Sequence, residues 1–117
     1  MKNMRNEYFL SAPAAKKTAS GVVYAGPCIF HGFLVGTDGI NDPVITIYDH
    51  ASKAEGQEVV PTSTYDASQL GINGATGMNM FCVNGLYVEI TCSGTCEVVL
   101  HYNPGYPRYF LGLTSPS

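Results

Sequence analysis

Three histidines, four cysteines and nine acidic residues are the side chains that could do chemistry in this 117-residue chain. His31, His50 and His101 could serve a metal only if the fold brought them together, and nothing in their spacing predicts that. A histidine on a sheet face or in a loop is more often simply hydrogen-bonded or solvated. Cys92 and Cys96 form a Cys-x3-Cys arrangement with no second pair or nearby histidine, while Cys28 and Cys82 stand alone in apolar runs. All four read as small hydrophobes, with no metal. Asp49 with Glu55 or Glu58 could imitate the carboxylate pair of a glycoside hydrolase, but acids in a polar loop are usually just solvated. No serine sits in a Gly-x-Ser-x-Gly elbow, and no cysteine has the setting of a thiol-protease nucleophile. Gly71-Ile-Asn-Gly74-Ala-Thr-Gly77 has the composition of a phosphate loop without its Lys-Ser/Thr ending or following helix. The chain therefore reads as a non-enzyme, with no catalytic residue and no cofactor.

Any weaker constellation would have to be positioned by strands. The chain is 45% hydrophobic and only 13% charged, and its 13 glycines and seven prolines leave little room for long helices. Short β-rich runs alternate with turn chemistry, the pattern of an antiparallel sandwich. Runs are expected over 22–25, ending at Gly26-Pro27, over 28–35, closed by Gly36-Thr-Asp-Gly39, and over 44–48. The run 58–65 contains Pro61 and belongs on a sheet edge, because proline cannot donate to a ladder. Residues 66–77 are expected to be a loop or a helical turn, and 78–83 a further strand turned by Asn84-Gly85.

Two runs near the end alternate most clearly. Leu86, Val88, Ile90 and Cys92 share one face of the first; Cys96, Val98, Leu100 and Tyr102 share one face of the second. Read as a hairpin, a two-residue Ser93-Gly94 turn would oppose Ile90 to Glu97. A three-residue loop instead pairs Ile90 with Val98, Val88 with Leu100, and Cys92 with Cys96, with Gly94 at the left-handed angle such loops need. Burial favours the second register. A Cys92–Cys96 disulfide is then possible on oxidation, although a directly opposed pair is slightly wide for one.

The ends read differently from the body. Residues 1–20 form an extended arm in which Lys2, Arg5, Lys16 and Lys17 face a single acid, Glu7, and Tyr8, Phe9 and Leu10 make an apolar anchor. Residues 21–117 are the sandwich domain, with an irregular aromatic tail from about 103 that carries Tyr106, Tyr109, Phe110 and Leu111. Such side chains are costly to leave in water. Arm and tail are the expected partner-binding segments. The net charge of −3 argues against nucleic acid, no apolar run is long enough to cross a bilayer, and no signal peptide is legible. Synthesis in a reducing cytoplasm would keep the thiols reduced. Eight tyrosines and no tryptophan suit an interface, or a platform on which sugars stack.

Gly26-Pro27, Ile45-Thr-Ile-Tyr48-Asp49 followed by Gly56, Asn84-Gly85-Leu86-Tyr87-Val88, Cys92-Ser-Gly94-Thr-Cys96 and the closing Val-x-Leu-x-Tyr run form a series along the body, roughly 21–102. On these motifs the body resembles small virion proteins of tailed bacteriophages. The resemblance implies a compact, jelly-roll-like β-sandwich made in the host cytoplasm and carried on the virion. It would decorate or cement the capsid without catalysis, in contact with the major capsid protein or another virion protein. A homo-oligomer is expected, a trimer by preference. The alternative is a tail- or fibre-associated module binding host-surface carbohydrate through Tyr65, Tyr87 and Tyr106.

Overall fold

A computed structural model describes residues 14–68 and 73–105. Those residues form eight strands and no helix: β1 (Ala14–Lys17), β2 (Gly21–Ala25), β3 (Cys28–Thr37), β4 (Val44–Tyr48), β5 (Glu58–Thr64), β6 (Asn73–Cys82), β7 (Gly85–Thr91) and β8 (Cys96–Pro104). One four-stranded sheet, sheet A, has the order β1-β8-β3-β6, and the other, sheet B, the order β2-β7-β4-β5. All pairings are antiparallel.

The orders follow from one folding operation. β1 pairs with β8, β2 with β7, β3 with β6 and β4 with β5, as in a long hairpin whose turn lies between β4 and β5. Wrapping that hairpin over itself brings β8 beside β3 and β7 beside β4, which closes the two sheets. This is the eight-stranded jelly roll. The expected all-β antiparallel sandwich is what the chain forms.

Alternation builds the core between the sheets. Ile45, Ile47, Leu86 and Val88 come from sheet B and Phe30, Phe33, Val35, Val98 and Leu100 from sheet A, all buried in one cluster. Each contributes about 1.5–3 kcal/mol of transfer free energy. Phe30 and Phe33 are three apart, which strict alternation would put on opposite faces. A bulge between Phe30 and Gly32 turns both inward. Proline at position 61 lies on β5, an outer strand of sheet B, as expected for a residue without an N–H.

Three expectations are corrected. β7 and β8 are not a hairpin: they lie in opposite sheets, so Cys92 is not laddered to Cys96. Strands that face each other across a core need the same apolar alternation as strands paired side by side, so the pattern could not separate the two cases. Gly94 does not take the left-handed angle that the hairpin required. The segment 66–77 is not all loop, since β6 starts at Asn73. Its glycines hid the strand, yet Gly74 is a requirement of it. A Cβ there would run into the Phe33 carbonyl oxygen on β3, at a φ of +136°. β1 also brings residues 14–17 of the expected arm into sheet A.

Candidate functional site

Loops gather at the two ends of the sandwich, and an aspartate organises each end. Asp38 follows β3, where Asp-Gly is a strong turn signal. Its Oδ1 accepts the main-chain N–H of Ile40 at 2.9 Å and of Asn41 at 2.8 Å. Oδ2 accepts the Asn41 side-chain amide at 2.7 Å and the Thr95 N–H at 3.1 Å, tying the β3–β4 loop to the β7–β8 crossover. The Asn41 N–H above all, with the other donors, holds the Asp38 carboxyl far below the usual carboxylate range. Gly94 makes room for this cluster, because a Cβ would meet the side chains of Asn41 and Asp38. Asp42 and Thr37 extend the ties to Ala67, through Asp42 Oδ1 accepting its N–H at 2.8 Å and Thr37 Oγ1 donating to its carbonyl at 3.4 Å. The braced loop presents Ile40 to solvent, 82% exposed.

Asp49 performs the corresponding task at the other end. Its carboxylate accepts the main-chain N–H groups of Val83 at 3.3 Å, Asn84 at 2.9 Å and Gly85 at 3.2 Å. Gly85 passes so close to Tyr24, Gly26 and His50 that no side chain fits. The β2–β3, β4–β5 and β6–β7 connections therefore converge here, and the Gly105 N–H reaches the Pro27 carbonyl at 2.7 Å. Asp49 is thus a turn-holding acid. Glu58 accepts the Gly56 N–H within its own loop, and Glu55 is exposed.

The histidines do not converge. His31 bridges two amides on the outer face of sheet A: Nδ1–H donates to Asn79 Oδ1 at 2.9 Å and Nε2 accepts from Asn103 Nδ2 at 2.8 Å. His50 Nδ1 meets Ser52, and His101 lies on β8. Among the described residues no group of three His, Cys, Asp or Glu side chains could hold a metal ion.

Sheet B carries a polar network on its outer face that strand alternation alone did not reveal. Tyr48 is 2% exposed and its hydroxyl donates to Glu89 Oε1 at 2.9 Å, while Lys53 Nζ lies 3.0 Å from Glu89 Oε2. Lys53, then Tyr48, lowers the Glu89 carboxyl, and burial beside that carboxylate raises the Tyr48 phenol. The Tyr87 ring lies 6.2 Å from that of Tyr48. Tyr65, by contrast, packs edge-on against buried Phe33 and serves the core.

Of the expected partner-binding residues, Lys16 and Lys17 lie on β1. Lys16 pairs with Glu97 across the strands at 3.4 Å, an exposed pair, and Lys17 extends over Gly21. Lys2, Arg5, Tyr8, Phe9, Leu10, Tyr106, Tyr109, Phe110 and Leu111 lie outside the described residues. What is described is where the flanking segments attach. Ala14 opens β1 opposite His101, and β8 continues past His101 to Pro104. The chain thus enters β1 and leaves β8 on adjacent strands at the same end, the one organised by Asp49. No protein-family model, no curated protein and no solved structure matches the chain.

Proposed function

We propose that this protein is a non-enzymatic structural component of a tailed-bacteriophage virion that decorates or cements the capsid. The observation that carries the reading is the shared exit: residues 1–13 and 106–117 are tethered to neighbouring strands at one end of sheet A. The basic arm with Tyr8, Phe9 and Leu10 and the tail with Tyr106, Tyr109, Phe110 and Leu111 are the two segments proposed to attach, and this end of the sandwich is the proposed attachment face. The eight-stranded jelly roll is also an architecture of viral capsid domains, although architecture alone assigns no function. A homo-oligomer, by preference a trimer, would seat on the major capsid protein, with Lys16 and Lys17 farther along β1, away from that face. The test is binding of the full-length protein to phage heads lacking it, beside a variant with Tyr8, Phe9 and Leu10 all changed to Ser. Saturable binding lost in the variant is expected; unchanged affinity overturns the arm assignment.

A second reading is carbohydrate recognition, favoured by Tyr87 beside the Tyr48–Glu89–Lys53 network. Glycan-array binding lost in Tyr87→Ala but kept in Tyr65→Ala would select it.

A further inference from the structure

Cys28 and Cys82, far apart in the sequence, are direct cross-strand partners between β3 and β6. Both side chains are fully buried in the core cluster, and the Cys82 thiol donates to the Met80 carbonyl on its own strand at 3.9 Å. Directly opposed residues in an antiparallel ladder have Cα atoms about 4.5 or 5.5 Å apart. Both values fall in the range of roughly 4.4–6.8 Å found in disulfides. Among the described residues β6 is an outer strand, hydrogen-bonded to β3 alone. It is interrupted by Gly74 and Gly77 and by a register shift against β3. Such a strand can make the small approach that S–S bonding needs, and it is also the kind of edge that opens first.

We propose that Cys28 and Cys82 are an oxidative modification site, whose disulfide locks β6 to the centre of sheet A once the protein leaves a reducing compartment. Hydrogen peroxide is a sufficient oxidant and small enough to reach a buried pair. The thiolate of one cysteine attacks a peroxide oxygen, the O–O bond breaks, and a sulfenic acid and one water result. The second sulfur then attacks the sulfenic sulfur, the S–O bond breaks, and the hydroxide leaves as a second water with the remaining thiol proton. Two thiols lose two electrons to one peroxide, and the loop closed runs from β3 to β6. The facing Cys28 thiol, then burial and the Asp49 charge, push the Cys82 thiol well above the usual thiol range, while the facing Cys82 thiol lowers that of Cys28. Cys28 is thereby the sulfur that attacks the peroxide and Cys82 the one that resolves the sulfenic acid.

The test treats the full-length native protein with hydrogen peroxide, then denatures it, alkylates free thiols and digests it without reduction. Mass spectrometry is expected to find a Cys28–Cys82 linked peptide. The thermal midpoint should rise by roughly 10 °C and return on adding dithiothreitol. The same rise is expected in a Cys92→Ser, Cys96→Ser variant, which removes the other thiol pair. Alkylation of both Cys28 and Cys82 after complete oxidation of Cys92 and Cys96 would overturn the proposal. A link from Cys28 or Cys82 to any other cysteine, or to a second chain, would overturn it equally.

Discussion

Asp49 Oδ1 accepts the main-chain N–H of Asn84 at 2.9 Å across 35 residues of sequence. The Tyr-Asp end of β4 and the Asn-Gly turn before β7 are thereby one structural unit. Replacing Asp49 with Ala strands three N–H donors, those of Val83, Asn84 and Gly85. The expected loss is about 2–4 kcal/mol, read as a lower urea midpoint at unchanged slope. A midpoint within error of wild type would show that the turn holds without the carboxylate.

The Asp38 carboxyl is lowered in the folded protein by its hydrogen bonds, the Asn41 N–H first. A depressed acid stabilises the fold above its unfolded value, about 3.9, and that contribution is lost as pH falls below it toward the folded value. Thermal midpoints of wild type and Asp38→Asn from pH 6 to pH 2 should therefore differ most at pH 6 and converge in acid. Parallel curves would contradict the role given to the charge.

Gly85 and Gly39 both have positive φ, 141° and 84°, but only Gly85 is hemmed in by backbone atoms of Tyr24, Gly26 and His50. Gly39→Ala should cost about 1–2 kcal/mol from backbone strain alone. Gly85→Ala adds a clash and should cost about 3 kcal/mol or more, or prevent folding. Equal costs, measured by denaturant titration, would mean that the Asp49 end yields more than its contacts suggest.

Tyr48 is buried, and its hydroxyl serves Glu89. Tyr48→Phe keeps the ring and removes one hydrogen bond, so stability should fall by about 1 kcal/mol. Calorimetry showing no loss would assign Glu89 to Lys53 alone.

Ile40→Ser should leave the thermal midpoint within about 0.5 kcal/mol of wild type in stability, because the side chain is 82% exposed. It should also leave head binding intact, since the proposed attachment face is at the opposite end. Lost head binding would move the contact to the Asp38 end.

The strands themselves were legible where β-branched and aromatic residues are dense, as in β3, β4, β7 and β8. Pro61 even marked its strand as an edge. The first half of β6, before Met78, escaped notice because Gly74 and Gly77 weaken its pattern, although close approach to β3 is what calls for glycine at position 74. Among the site residues, Asp38 showed as a turn signal, but its grip on Thr95 did not. Which strands are neighbours was beyond the sequence, because alternation reports one buried face and not whether the partner lies beside it or across the core. Val88 and Leu100 satisfy either arrangement. Tertiary structure decided that β7 and β8 part into separate sheets. It also decided that Cys28 meets Cys82, and that both flanking segments start from one end. Each is a contact between residues distant in the chain, and local periodicity carries no record of such contacts.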